Sequence, residues 1–315
     1  MIASIKQRLR QSETWRLMVR HKMLYVFILP AAALTVLFCY RPMVGVVIAF
    51  QDFDVRNGFF GSPFVGFAHF KKFLQIPDFY RALRNTLSIN LLNMAVGFPL
   101  PIIFALILNE LRWVKFKRTV QTITYLPHFV SWVVIGGMVY RLLAMDTGSV
   151  NLLLKALSLD QIPFMRKADL FYPIFITVTV WKGLGWNSII YLAALQSVDQ
   201  ELYEAARVDG AKRLRCIFII TLPSIAPTIG LLFILTIGTL VNASGGASLE
   251  AILSMRNPMV IERALVLDLY TYMEGISYGY FSFAAAIGLT QSFVSLALVI
   301  FANTLSRRLY KYGVF

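Results

Sequence analysis

The sequence predicts an all-α, polytopic membrane protein with about six transmembrane helices. Three observations carry this. Of 315 residues, 58% are hydrophobic and only 15% charged, against roughly 45–50% and about 25% in soluble globular chains. Six long apolar stretches recur along the chain, and about 20 apolar residues suffice to cross a bilayer. Lysines and arginines concentrate in alternate connections between those stretches, as topology-setting charge does.

The first stretch, Met23 to Tyr40, follows a basic lead containing Lys6, Arg8, Arg10, Arg16, Arg20 and Lys22. A cleaved signal has a shorter core of about 7–15 residues. This lead is longer, and the apolar run continues past Arg41-Pro42 to Phe50. An uncleaved first span is expected, with residues 1–22 a cytoplasmic segment. The other stretches run from Thr86 to Leu108, Thr119 to Leu143, Leu170 to Leu195, Ile225 to Val241 and Phe281 to Leu305. Each is interrupted by Pro, Gly or polar residues, which neighbouring helices in a bundle can satisfy. One transmembrane domain over 23–306 is expected, with 307–315 a cytoplasmic tail.

With the N-terminus inside, about 17 of the 30 Lys and Arg fall in the four inside segments, against about 6 of the 16 acids. Arg112, Lys115, Lys117 and Arg118 lie between spans two and three, Lys212, Arg213 and Arg215 between four and five, and Arg307, Arg308 and Lys311 after span six. The net charge of +14 is thus distributed at span ends, and no basic face, zinc pair or RNP-like run points to nucleic acid.

The outside connections are long. Gln51 to Arg84 is rich in aromatics, from Phe53 to Tyr80. These suit the headgroup level of a membrane or packing on the outer ends of the bundle. Ser244 to Tyr280 carries Gly, Asn-Pro and several tyrosines.

Catalytic chemistry finds no constellation. The histidines are His21, His69 and His128, with no H-E-x-x-H pair; His128, after Leu126-Pro127, reads as a helix-end residue. Cys39 and Cys216 lack metal spacing and sit in environments unsuited to a disulfide. There is no G-x-x-x-x-G-K-[ST] phosphate loop, so the chain holds no ATP site or cofactor motif of its own.

The inside segment 197–223 carries the functional reading. Ser197 with Gln200, or Asp199 alone, can cap a helix start. Glu201 and Glu204 suit its positive end. Ala205 and Ala206 leave a small surface for close approach by a partner, and Gly210 can end the helix with positive φ. A second short helix is expected to carry Leu214, Phe218 and Leu222 on one stripe, ended by Pro223 and Pro227. The product is a helix–turn–helix suited to a groove on another protein.

Glu204-Ala205-Ala206, Asp209-Gly210-Ala211 and Ile220-x-Leu222-Pro223 resemble the EAA motif of importer permeases in the ATP-binding cassette superfamily. Gly66 to Phe73, Asn85-Thr86-Leu87, Trp181 to Ser188 and Ala302 to Arg308 extend the resemblance over nearly the whole chain, toward the branch taking oligosaccharides or polysaccharide fragments. The Asn-Ala-Ser-Gly-Gly run at 242–246 departs from it.

The resemblance implies a type I ABC importer transmembrane domain in a bacterial cytoplasmic (inner) membrane, with both termini in the cytoplasm. Glu201, Glu204, Ala205, Ala206, Asp209, Gly210, Ala211, Leu222 and Pro223 would then couple to an ATPase subunit. The implied partners are a second homologous permease, two ATPases that bind ATP and Mg, and an extracytoplasmic solute-binding protein delivering oligosaccharide cargo. The competing class is an ion-driven secondary transporter or channel acting without an ATPase.

Sugars bind aromatic faces and directional hydrogen-bonding groups. Trp181, Trp186, Asn187 and Tyr191 in span four, Asn242 and Ser244 at the end of span five, and Gln291 in span six are the candidates for the cargo path; an isolated Asn or Gln can equally bridge helices. Lys182 is a charge within a span, costing about 2.5–3.5 kcal/mol on insertion scales. It can meet an acidic sugar such as a uronate, or hold backbone carbonyls where Gly183 and Gly185 loosen the helix.

Overall fold

The computed structural model describes residue 17, residues 20–242 and residues 248–310. Ser244, most of the N-terminal basic lead and residues 311–315 lie outside these. The chain divides into two units, Met1–Phe67 and Ala68–Phe315.

The first unit is dominated by α1, Lys22–Phe50, a 29-residue apolar run. Its α-helix passes into a π turn at Val36–Tyr40, then a short α segment and a 3-10 stretch at Val44–Phe50. The irregularity surrounds Pro42, which has no N–H to donate and crowds the preceding turn. Phe27, Leu29 and Phe38 are exposed, as a lipid-facing helix requires. Beyond it, Gln51 bridges Phe64 across the short helix α2, Gly58–Gly61. Phe60, Phe64 and Phe67 stand exposed there.

The second unit is a helical bundle. It begins with α3, Ala68–Phe73, then α4, Pro77–Gly97, and α5, Pro99–Glu110, which together form a 34-residue span. Prolines at the first turns of α4 and α5 occupy positions whose N–H would be unpaired anyway. Here the aromatic connection packs on the bundle: Phe73 meets Phe79 at a tilt of 43°, centroids 4.7 Å apart, and meets Phe283 edge-on.

Next come α6, Val114–Phe129, and α7, Trp132–Leu142. The expected third span is a broken one, bent by 102°. Its cause is local. Val130 and Ser131 are extended, and the Ser131 hydroxyl caps α7 by accepting from Val134 N–H. Helix α8, Ser149–Ala156, follows.

Helix α9, Phe171–Gln196, is the centre of the unit. It packs against α4, α5 and α6. At 26 residues and a rise of 1.5 Å each it is about 39 Å long. Its apolar residues Phe171, Phe175, Tyr191, Leu192 and Leu195 are buried together with Lys182 and Ser188.

Helix α10, Gln200–Val208, leads to α11, Arg213–Cys216, a π turn at Ile217–Thr221 and α12, Leu222–Gly238. The last three form one 26-residue span, Arg213–Gly238. The second short helix expected before Pro223 is therefore the start of span five itself. Pro223 cannot donate to the carbonyl four residues earlier and would clash with it; the wide π turn lies where that carbonyl stands. Helix α12 packs against α9.

After residue 248 come three short helices, α13 (Leu249–Met255), α14 (Ile261–Ala264) and α15 (Leu267–Tyr272). The unit closes with the 30-residue α16, Phe281–Tyr310, packed on α12. Polar side chains of α4 hold this connection in place. Asn85 Nδ2 donates to the carbonyls of Glu262 and Leu265, at 2.8 and 2.9 Å, and Thr86 Oγ1 accepts from Leu267 N–H.

Four helices among the described residues are apolar and long enough to cross a membrane, five with the broken pair. The count of six is not reached on apolarity because α9, the expected fourth span, carries Lys182, Asn187 and Ser188. Its neighbours α4, α5, α6 and α12 surround it with protein, so its polar groups need not face lipid.

Candidate functional site

Two places stand out: the segment linking α9 to α12, and a cavity lined by α4, α6, α7, α9 and α12.

The linking segment is built around α10. Asp199 is its N-cap, its carboxylate accepting from Glu201 N–H at 3.0 Å. Ser197 instead donates to the Ala194 carbonyl of α9. At the other end Gly210 has φ +76°. Its N–H donates to Arg207 and that of Ala211 to Ala206, the paired bonds of a Schellman ending. Both ends of a nine-residue helix are thus closed by its own sequence.

No residue of α10 is buried. Glu201, Glu204, Ala205 and Asp209 are exposed, Ala206 and Ala211 half-buried. Leu202, Val208, Leu214, Phe218 and Ile219 add exposed apolar surface. One side chain anchors the helix: Tyr203 packs against a core of Ala105, Leu108, Tyr191, Leu192, Leu195, Val198 and Ile225. Its hydroxyl lies 2.9 Å from that of Thr221. Leu222 is half-buried and Pro223 exposed at the head of α12.

The cavity has a volume of about 550 Å³, within the ~300–1,000 Å³ of small-molecule sites. Helix α9 presents Thr179, Lys182, Gly183, Asn187, Ile190 and Tyr191 to it, a stripe at spacings of three and four. Asn93, Met94 and Gly97 of α4, His128 and Trp132 beside the α6–α7 break, and Leu232, Leu235, Thr236 and Thr239 from α12 complete much of the wall. Among the described lining residues there is no carboxylate. Its polar complement is made of amides, hydroxyls, an indole, the His128 imidazole and the Lys182 ammonium.

Of the sequence candidates, Lys182, Asn187 and Tyr191 line this cavity; Trp181, Trp186, Asn242 and Gln291 do not. Trp181 lies off the stripe and is 48% exposed. Trp186 stacks on His128, centroids 4.3 Å apart and planes 2° from parallel. Gln291 Nε2 donates to the Val241 carbonyl, and the Asn242 carbonyl accepts from Asn90. Gln291 thus bridges helices through its amide, the alternative role, whereas at Asn242 the backbone accepts and the bridging amide is that of Asn90.

Lys182 is buried, and its Nζ donates to the carbonyls of Pro127, His128 and Val130 at 3.1, 2.7 and 2.7 Å. It also lies 5.2 Å from the centre of the Trp132 ring. The carbonyls belong to the end of α6, not to its own helix, which runs unbroken through Gly183 and Gly185. Gly185 serves a close crossing: a Cβ there would run into the Thr124 carbonyl of α6. Sequence reasoning passed over Asn93, Thr179, Thr236 and Thr239. Helical spacing around Lys182 could have flagged Thr179, and Thr236 and Thr239 are three apart on one face.

Comparisons with known proteins agree with this architecture. Residues 97–311 match the family described as binding-protein-dependent transport system inner membrane component. The chain is 42% identical to Protein LplB of Bacillus subtilis, over 94% of this chain and 92% of that protein. It is 41% identical to the polygalacturonan/rhamnogalacturonan transport system permease protein YteP of the same organism, over 95% and 92%. Among solved structures it resembles a chain of a bacterial alginate ABC transporter in complex with an alginate pentasaccharide-bound periplasmic protein. The TM-score is 0.86 and the identity 38%, over 96% of this chain and all of that one.

Proposed function

The chain belongs to the family of binding-protein-dependent transport system inner membrane components, and from that premise we propose how this permease subunit of an ABC importer works. It is a non-catalytic, multi-pass membrane subunit of the type I importer fold, and the reading of an ion-driven transporter acting alone is set aside by that membership.

In our reading it forms half of a translocation pathway for oligosaccharides or polysaccharide fragments. Asn93, Asn187, Thr179 and Tyr191 offer the cargo hydrogen bonds and an aromatic face from the cavity wall. A second, homologous permease supplies the other half, and an extracytoplasmic solute-binding protein delivers the cargo. Two ATPase subunits hold ATP and Mg. Both termini lie in the cytoplasm, which puts α10 on the cytoplasmic side in keeping with the surrounding basic residues.

One observation carries the coupling role. Helix α10 is closed at both ends, has no buried residue, and is joined to the bundle through Tyr203. Such an element moves as a unit when pushed. An ATPase cleft receiving Ala205 and Ala206, with Glu204 meeting a basic side chain, would pass its closure to α9 and α12.

The test is reconstitution of this chain with its partner permease, ATPase and binding protein in liposomes. Uptake of oligosaccharide that requires ATP, the binding protein and an intact α10 is expected. Uptake by the lone chain, driven by an ion gradient, would overturn the reading.

A further inference from the structure

The three carbonyls that Lys182 holds all flank the 102° break between α6 and α7. The last carbonyls of a helix have no partner within it, and a cation there is favoured by the macrodipole. An ammonium has three N–H donors and no more. Three carbonyls match them, two at 2.7 Å and one at 3.1 Å, and the Trp132 ring lies against the ammonium. No donor is left for a cargo carboxylate. Hydrogen bonds to a charged group are stronger than those between neutral groups, and they offset the burial of this charge.

Around this point α9 grips α6 twice more. Trp186 stacks on His128 and meets Phe129 edge-on at 5.7 Å, and Gly185 lets the two backbones touch at Thr124. From Lys182 the same helix continues without interruption to Gln196, and Asp199 then caps α10. His128 and Trp132, on either side of the break, both line the cavity.

We propose that Lys182 is a positioning residue: it clamps the α6–α7 break to α9, so that α9 sets the cavity wall in step with α10. The clamp rests on the coupling role proposed for α10. It places Lys182 in the transmission of movement and outside the recognition of cargo charge.

The experiment uses the assembled transporter in nanodiscs and proteoliposomes. Spin labels are placed at the exposed positions Ile123→Cys on α6 and Met138→Cys on α7, in a Cys39→Ser, Cys216→Ser background. The unmodified transporter must first show ATP-dependent uptake; failure there strikes the proposed function and not the clamp. With Lys182→Met, the α6–α7 distance distribution is expected to shift or broaden. Maximal uptake per ATP hydrolysed should fall by about tenfold, equally for neutral and uronate-containing oligosaccharides, with half-saturation unchanged. Lys182→Arg should recover part of both. An unchanged distance distribution, or a rise in half-saturation confined to acidic cargo, would overturn the clamp. Should Lys182→Met fail to assemble, Lys182→Gln, which removes the charge and is too short to hold all three carbonyls, takes its place and must broaden the distribution; a wild-type distribution in that variant overturns the proposal.

Discussion

The hydroxyls of Tyr203 and Thr221 lie 2.9 Å apart, joining α10 to the π turn at the head of α12. Tyr203 comes from a helix with no buried residue, yet its ring packs against the core where α5, α9 and α12 meet. The segment read as the coupling element therefore touches span five directly as well as through the chain.

Loss of that hydrogen bond should loosen the joint without unfolding the bundle. A single hydrogen bond contributes about 0.5–1.5 kcal/mol. Tyr203→Phe keeps the ring in its core and removes only the hydroxyl. Uptake by proteoliposomes is expected to fall several-fold while ATP hydrolysis continues, and Thr221→Val should behave alike. Equal uptake by wild type and both variants would remove this joint from the mechanism.

At Gly210 the requirement is conformational. Its φ is +76°, and a Cβ there would meet nothing within 4 Å. The left-handed region costs a residue with a side chain about 1–2 kcal/mol, and a β-branched one suffers most. Gly210→Val should fray the end of α10 and uncouple ATP hydrolysis from uptake. Gly210→Asn, which tolerates this region, should retain most transport. Full uptake by Gly210→Val, measured with hydrolysis in the same vesicles, would contradict the model of a rigid coupling helix.

The spans and the ends of α10 were legible because they depend on local rules: apolar length, an acidic cap, a glycine able to take positive φ. The break at Val130-Ser131 was not. Pro127, His128 and Ser131 interrupt the run from Thr119 to Leu143, but every expected span carries such interruptions, and the Lys182 ammonium that meets the carbonyls at this one stands 52 positions beyond Val130. A still longer separation, 86 positions between Asn93 and Thr179, hid the cavity. Thr179 and Asn93 form a hydrogen bond at 3.2 Å, but neither residue signals alone that α4 and α9 meet there. Trp181 and Trp186 illustrate the converse. Both suggest a sugar-binding face by type, yet one lies off the cavity stripe and the other stacks on His128.

Asn85 links three elements. Its amide nitrogen donates to the Glu262 and Leu265 carbonyls, and its oxygen accepts from the Tyr172 hydroxyl at 2.7 Å. Leucine at this buried site would leave those groups without their amide partner, at about 1–3 kcal/mol for each one unsatisfied. Asn85→Leu should lower the thermal unfolding midpoint of the purified subunit and admit protease to the 256–266 connection. Asn85→Asp, which keeps an acceptor for Tyr172 but loses the donors, should fall between. A midpoint like that of wild type in Asn85→Leu would show that the connection is held by its apolar packing alone.

Asn187 is the polar side chain best placed to meet cargo: it lies on the α9 stripe, lines the cavity and is exposed. Leucine at this position keeps the size and removes the hydrogen-bonding amide, a loss of about 0.5–1.5 kcal/mol if one bond to cargo is made. Asn187→Leu should therefore raise the half-saturating cargo concentration by roughly three- to tenfold, with ATP hydrolysis per transport cycle unchanged. Trp181→Phe, outside the cavity, serves as the control and should leave both quantities as they are. The opposite result, with Trp181→Phe impairing uptake and Asn187→Leu neutral, would move the cargo path to the other side of α9. A change in coupling ratio instead of half-saturation would place Asn187 with Lys182, in the movement of the helix and not in its contact with sugar.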